Sequence, residues 1–254
     1  MLVTRRLLHR SLAALGINSL LLLAPSSQLR AQATEPNYAA WNTILAKYYD
    51  PARGFDYAGL KAHDAATLQT LRQQLGRVNV AALNRKQQLA YWINVYNVNT
   101  VATIVENYPV KSIRDLSTDP LIFTVFKKKR VPFGGELLSL DDVETTKIRE
   151  TFHDPRIHFA INCAAKSCPP LRTEAYVGER IDAQLDDQAR RFLTANTHFT
   201  RDGDTLVVHL TKIMDWFGGD FGDKAAFLRK YISIPAAKSI VFAYDDYDWS
   251  LNAR

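Results

Sequence analysis

The order of the predicted elements limits the folds open to this 254-residue chain. A long helical stretch runs from Arg85 to Tyr108, preceded by Asn84 and ended by Pro109. Helical spacing also occurs over 37–49, 58–75, 180–195 and 223–231, and strand-like runs occur over 123–133, 136–138, 156–163, 205–210 and 239–244. Helices and strands therefore come in blocks and not in strict alternation. This order favours an α+β fold with an antiparallel sheet packed against helices.

A capping box marks one further helix. Ser139 and Asp142 stand three residues apart before a helical stretch that reaches about Phe152. In such a box the hydroxyl accepts a hydrogen bond from an early helical N–H group, and the acid accepts one in return.

The first 33 residues have the composition of an export signal. Arg5, Arg6 and Arg10 precede an apolar run from Leu12 to Ala24, and Ala31-Gln32-Ala33 offers small residues to a signal peptidase. The apolar run is shorter than the ~20 residues that span a bilayer, so we expect cleavage and no stable membrane span afterwards. The sequence leaves Sec and twin-arginine export open. The mature protein is expected to begin near Thr34 and to be periplasmic or secreted.

Removing the leader changes the charge argument. Four of the 32 basic residues and none of the 26 acidic ones lie in residues 1–33, which leaves 28 against 26. A nearly neutral chain lacks the excess of positive charge that is typical of nucleic-acid-binding proteins. Residues 34–254 are long enough for one compact domain with a substantial core, and no repeat or linker divides them.

The segment from Asp154 to Arg172 holds both cysteines, Cys163 and Cys168. Because Pro169 and Pro170 suit the first turn of a helix, Cys168 is predicted at a helix start, where the dipole favours a thiolate. An unperturbed thiol is only about 3% ionised at neutral pH, so such help matters for a nucleophile. The functional interpretation is a nucleophilic Cys168 with His158 as its base.

A disulfide between Cys163 and Cys168 is the competing interpretation. Exported chains with two cysteines usually oxidise them, and a turn through residues 164–166 could bring the two Cα atoms into bridging range. Zinc binding by His153, His158 and the two cysteines is disfavoured, because a spacing of five places successive residues on opposite faces of a strand. No metal or cofactor is therefore predicted.

Strand geometry restricts which histidine can act as the base for Cys168. On a strand, His158 and Asn162 would lie about 13 Å apart, so Asn162 could not orient that imidazole directly. A Cys168–His158 pair then needs a bend in the chain. His153 and His209 are the alternative bases.

Two amides lie within the long apolar helix. Asn94 and Asn97 are three residues apart on one helical face, and burying an amide costs free energy unless it finds partners. The simpler interpretation is a buried network that ties the helix to neighbouring loops. The functional one is an amide that orients a histidine or donates to an oxyanion.

Two aromatic segments near the end of the chain, 216–221 and 244–252, combine aromatic residues with Gly and Asp. They could line a groove for a sugar or a peptide, although turn and cap chemistry with packing against the core is the simpler interpretation. Asp245, Asp246 and Asp248 match a calcium loop only loosely, since they lack its glycine and terminal glutamate.

Five motifs in order resemble the domain-of-unknown-function 547 family. They are residues 91–97 (YWINVYN), 138–144 (LSLDDVE), 154–163 (DPRIHFAINC), 166–171 (KSCPPL) and 247–252 (YDWSLN). The resemblance covers a core of about 86–252. It implies an α+β domain grouped loosely with papain-like and transglutaminase-like cysteine hydrolases. In the papain-like plan the cysteine opens the long helix, whereas here that helix carries Asn94 and no cysteine, and Cys168 follows His158. The residues that match family motifs are Asn94, Asn97, Glu144, His158, Asn162, Cys163 and Cys168.

Two functions follow as hypotheses. In the first, an exported hydrolase or acyltransferase cleaves amide or thioester bonds of an envelope peptide or protein. Cys168 attacks, His158 takes the proton, Asn94 steadies the oxyanion, and Asn97, Asn162 and Glu144 bind. In the second, a non-catalytic binding or structural domain contains a Cys163–Cys168 disulfide.

Overall fold

The computed structural model describes residues 34–119 and 123–254. The predicted leader, residues 1–33, lies outside these described residues. The α-helices are α1 (Ala39–Tyr48), α2 (Tyr57–His63), α3 (Ala65–Gly76), α4 (Arg85–Asn107), α5 (Thr124–Lys127), α6 (Glu150–Phe152), α7 (Ile181–Ala195), α8 (Ile213–Trp216) and α9 (Lys224–Arg229). The strands are β1 (Tyr49–Asp50), β2 (Gly54–Phe55), β3 (Val131–Phe133), β4 (Glu136–Leu138), β5 (His198–Asp202), β6 (Thr205–Leu210) and β7 (Ser239–Tyr244). None of the helices in this part of the chain has the length and apolar character to cross a membrane.

Helix α4 confirms the predicted long helix and lies at the centre of the fold. Its first turn is closed by a capping box, in which Asn84 accepts from the Gln87 backbone and Gln87 accepts from the Asn84 backbone, both at 3.0 Å. Every residue from Leu89 to Val105 is buried. A helix buried on all sides needs partners for its polar side chains, so its asparagines must bond to the elements around it.

The strands form two short hairpins and one mixed sheet. β1–β2 and β3–β4 are antiparallel pairs, and β5 pairs antiparallel with β6. β7 pairs parallel with β6, after a connection through α8 and α9 that returns the chain to the same end of the sheet. The α+β single domain is confirmed, with a mixed main sheet in place of a purely antiparallel one.

Two hydrophobic clusters fill the interior. One surrounds α1–α4, and the other lies between α7, the β5–β7 sheet and α9. Ile157 belongs to the first cluster and Phe159 to the second, so the short segment between them joins the two.

That segment corrects the predicted strand over 156–163. Pro155–Phe159 is a 3₁₀-helix, which Asp154 begins by accepting a hydrogen bond from the Arg156 backbone at 3.0 Å. The sequence pattern of this apolar run resembles that of a strand because its residues pack into two different hydrophobic clusters. Periodicity alone cannot distinguish that arrangement from a buried strand.

Two other predictions are revised in part. Residues 123–133 contain the short helix α5 as well as strand β3, and the helix predicted over 58–75 is divided into α2 and α3 at Asp64. The capping box at Ser139 is confirmed, with Ser139 and Asp142 exchanging hydrogen bonds of 2.7 and 3.0 Å. The helix that follows this capping box is a π-helix over Asp142–Arg149, and it leads into α6. π-Helical turns often occur at functional sites.

Candidate functional site

A cavity of about 530 Å³ lies where the elements of the two clusters meet. We call it the aromatic cavity because rings dominate its lining: Tyr96, Phe123, Phe126, Trp216, Phe217, Tyr247 and Trp249. The other residues of the lining are Lys127, Asp141, Glu144, Thr145, Arg149, His158, Ile161, Cys163, Cys168, Pro169 and Ile213. Its volume falls within the range typical of small-ligand sites.

One wall of the aromatic cavity is a stack of rings. Tyr247 lies 4.8 Å from Trp216 and 4.7 Å from Trp249 between ring centroids, and Phe123 stacks on Trp249 at 5.0 Å. Trp216 is 46% exposed, which is unusual for so large an apolar side chain. Exposed indole beside a cavity marks a surface that can bury further apolar area on binding. The groove interpretation of these two aromatic segments therefore gains support over plain packing.

The two cysteines also line the cavity, next to Tyr247 of the aromatic wall. Their Cα atoms are 6.1 Å apart, their sulfurs are paired as a disulfide, and neither is a free thiol. The Cys163 N–H donates to Cys168 Sγ at 2.8 Å, and the Tyr247 hydroxyl lies 3.3 Å from Cys163 Sγ. The predicted helix start at Cys168 is wrong, since the described backbone over 161–180 contains no helix. The two prolines shape an extended loop here.

Asn97 and Asn162 hold the cysteine loop against α4. Asn97 donates to the Ala160 carbonyl at 2.9 Å and accepts from the Asn162 backbone at 2.8 Å. Asn162 then spans the loop, donating to the Pro169 carbonyl at 2.7 Å and accepting from the Ala164 N–H at 2.9 Å. Ala164 has a positive φ of 65°, a left-handed conformation that these bonds help to hold. Both amides therefore position the disulfide and do not face the cavity.

Asn94 is also engaged within the fold. Its side chain donates to the Tyr176 carbonyl at 2.7 Å and accepts from the Tyr176 N–H at 3.0 Å. It is not among the described residues that line the cavity. This placement matches the network interpretation of the sequence, and not the oxyanion role predicted for Asn94.

His158 belongs to an ionic network at the edge of the aromatic cavity. Its Nε2 lies 2.6 Å from Asp220, which also accepts two hydrogen bonds from Arg149 at 2.8 and 3.1 Å. The ring stacks on Phe217 at 4.2 Å, and Nδ1 is buried with no hydrogen-bond partner within the described ranges. Burial lowers the pKa of His158 to about 4, although Asp220 opposes this shift. His158 is therefore a neutral imidazole at pH 7 and a weak base.

Glu144 carries the largest carboxyl shift of the site. It lies on the π-helix, and its side chain is half-buried and lines the cavity. It also interacts with the Tyr96 hydroxyl. Desolvation raises the pKa of Glu144 to about 7, against the opposing charge of Arg149. A carboxyl that titrates near neutral pH can donate or accept a proton, or hydrogen-bond to a neutral ligand.

The sequence predicted some of these residues and missed others. Cys163, Cys168, His158 and Glu144 converge on one cavity, whereas Asn94, Asn97 and Asn162 lie behind it. The pairing of Asp220 with His158 was missed, although the segment 216–221 was noted for its aromatic residues. A partner 62 residues away along the chain leaves no local signal.

The family model described as "Protein of unknown function, DUF547" matches residues 80–193. Over these residues the chain is similar to the DUF547 family. The matched segment includes α4, the π-helix and the cysteine loop, and so it contains Glu144, His158 and both cysteines. The aromatic wall of the cavity, from Trp216 onward, lies beyond it. No curated protein and no solved structure gives a significant match to the chain.

Proposed function

We propose that this chain is an exported domain that binds a short peptide segment in the aromatic cavity, with the Cys163–Cys168 disulfide as part of the cavity wall. The observation that carries the proposal is the cavity itself, about 530 Å³ lined by stacked rings and by a carboxyl group that titrates near neutral pH. Aromatic walls with a few polar groups are typical of sites that bury an apolar ligand and fix its orientation. The exported location is supported by the composition of residues 1–33 and by the cysteine pairing.

The polar groups around Arg149 and His158 favour a neutral, amide-bearing ligand in that part of the cavity. Arg149 and His158 are already paired with Asp220, so neither is free to neutralise a charged ligand. Glu144 can donate to a carbonyl when protonated and accept from an amide N–H when ionised. A peptide segment offers both groups, together with side chains that can pack on Trp216 and Trp249.

A second candidate function is cysteine-dependent hydrolysis or acyl transfer after reduction of the disulfide. Cys168 lines the cavity with Glu144, and the Cys163 N–H that donates to its sulfur would stabilise a thiolate. In this mechanism Glu144 is the better base, because the pKa of His158 is about 4. The step would need a thiol reductant to open the S–S bond first.

Four measurements test these candidates. Free thiols are counted in the unreduced protein under denaturant, and its N-terminus is sequenced to test cleavage near residue 34. Binding of a short random peptide library is followed by tryptophan fluorescence, because Trp216 and Trp249 line the cavity. Cleavage of the same peptides and of a thioester is then assayed with and without reductant.

For the binding domain we expect no free thiol, saturable binding without turnover, and loss of binding in Trp216→Ala. Leu137→Ala is the matched control, since Leu137 is 53% exposed and lies outside the lining of the cavity. Turnover that requires reductant and disappears in Cys168→Ser would establish the second candidate instead. Absence of peptide binding in both redox states would overturn the proposal.

A further inference from the structure

Two histidines and one aspartate meet at one end of the main sheet, among residues that do not line the aromatic cavity. His198 on β5 lies directly opposite His209 on β6, and their rings stack at 4.3 Å. Asp245 follows β7, where its N–H donates to the Leu210 carbonyl at 2.9 Å. Its two carboxylate oxygens lie 3.7 Å from His198 Nδ1 and 3.9 Å from His209 Nδ1. All three ligand atoms fall within 4.8 Å of one another.

The fold fixes this meeting point from three strands. Directly opposite residues of an antiparallel pair share a face of the sheet, which places both imidazoles on the same side. Ala243 pairs with His209 in the parallel register, and Asp245 lies two residues further on, which returns to the same face. The three side chains therefore converge because of strand register, and not because of a flexible loop.

Thr200 orients one of the imidazoles. Its hydroxyl oxygen lies 2.9 Å from His209 Nε2, on the ring edge away from Asp245. If Nε2–H donates to this hydroxyl, the lone pair of Nδ1 is directed at Asp245. A hydrogen bond from the distal ring nitrogen is the usual support of a metal-binding histidine.

We propose that His198, His209 and Asp245 bind a divalent transition metal, Zn²⁺ first. Neighbouring ligand atoms around a tetrahedral zinc ion lie about 3.3–3.5 Å apart, given Zn–N and Zn–O bonds near 2.0–2.2 Å. The three ligand atoms lie within 4.8 Å of one another, so the widest separation has to close by no more than about 1.5 Å. One of the two stacked rings also has to turn, so that both Nδ1 atoms point at the ion. The side chains of His198 and Asp245 are 57% and 45% exposed, so both have room to turn towards the ion. Imidazole with one carboxylate favours Zn²⁺ over Mg²⁺ or Ca²⁺, which prefer oxygen ligands.

Three protein ligands leave a coordination position for water or for a second molecule. This arrangement differs from a closed structural zinc site, which has four protein ligands. The ion would also join β5, β6 and the end of β7. We therefore expect it to stabilise the sheet in proportion to its affinity.

The test uses tag-free protein that begins at residue 34 and has been stripped with a chelator. Zn²⁺ is titrated by calorimetry, and Co²⁺ is titrated by visible absorption to report the ligand geometry. We expect one equivalent of Zn²⁺ to bind, no comparable binding of Mg²⁺, and a rise of about 5 °C or more in the unfolding temperature at 100-fold excess over Kd.

Variants assign the site. His198→Gln, His209→Gln and Asp245→Asn should each weaken Zn²⁺ binding at least tenfold, and Thr200→Val should weaken it about 10-fold or more with the ligands intact. His63→Gln, at an exposed histidine at the end of α2, is the matched control and should bind as the parent does. The proposal is overturned if stripped protein binds Zn²⁺ only at millimolar concentrations. It also fails if binding survives all three ligand variants or is lost equally in His63→Gln.

Discussion

The pKa of Glu144 yields a direct physical prediction. Its value rises from 4.5 in the unfolded chain to about 7 in the folded protein, mainly through desolvation. Between these pH values the folded state keeps a proton that the unfolded chain has released. The contribution of Glu144 to the free energy of unfolding is therefore fully present below about pH 4.5 and is lost as pH rises through 7. A shift of this size corresponds to about 3 kcal/mol.

Replacing Glu144 by glutamine isolates this effect. The amide has nearly the same shape and resembles the protonated acid, but it cannot ionise. We expect the free energy of unfolding of Glu144→Gln, minus that of the parent, to increase by about 3 kcal/mol between pH 4.5 and pH 8. Urea unfolding at half-unit pH intervals measures this difference. The control is Glu136→Gln, at an exposed position of the β3–β4 hairpin.

The prediction uses the difference in free energy of unfolding between variant and parent, because His158 changes the stability of both proteins with pH in the opposite direction. Its folded pKa of about 4 lies below its ordinary 6.5, so its contribution is present above pH 6.5 and is lost as pH falls through 4. The contributions of the two groups partly cancel in the parent protein, so its stability alone would not reveal the effect of Glu144. A difference between Glu144→Gln and parent that stays constant from pH 4.5 to 8 would refute the reasoning about the buried carboxyl.

Three further outcomes are expected. His158→Asn should remove the loss of stability that the imidazole causes in acid. The free energy of unfolding of this variant, minus that of the parent, should therefore increase as pH falls from 6.5 to 4.5, as measured by urea unfolding. Asn97→Ala should lower the free energy of unfolding by about 2 kcal/mol or more, because it leaves the Ala160 carbonyl and the Asn162 N–H without their buried partner; a smaller loss than in an exposed Asn→Ala variant would contradict this. Ser139→Ala should cost about 1 kcal/mol through the lost cap, with reduced helical circular dichroism as a second reading.

The fold could be predicted where one local cause was sufficient. Helix α4 had both a capping residue and a proline stop, and the strands from Thr205 and Ser239 had clear β-branched runs. The segment Pro155–Phe159 failed because its apolar residues serve two clusters, which a single periodicity does not represent. Cys168 failed as a helix start because Pro169 fits an extended loop as well as a first helical turn.

The sequence predicted several residues of the site but not the contacts between segments that are distant along the chain. The sequence selected Cys163, Cys168, His158 and Glu144, which share the aromatic cavity. It could not place Asp220 beside His158 or Tyr247 beside Cys163, since these contacts join segments 62 and 84 residues apart. Nor could it bring the two sulfurs within bonding distance, because their separation depends on loop geometry set by Asn97 and Asn162.

The two opposed pKa shifts also bear on what the aromatic cavity can bind. Burial raises the pKa of Glu144 and lowers that of His158, so this environment disfavours charge of either sign. Arg149, whose charge acts on both groups, is held by two hydrogen bonds to Asp220. A charged ligand entering the cavity would lose its hydration and find no free counter-charge among these groups. A neutral ligand with hydrogen-bonding amides and apolar side chains would lose much less, which is why we favour an internal peptide segment over a peptide terminus.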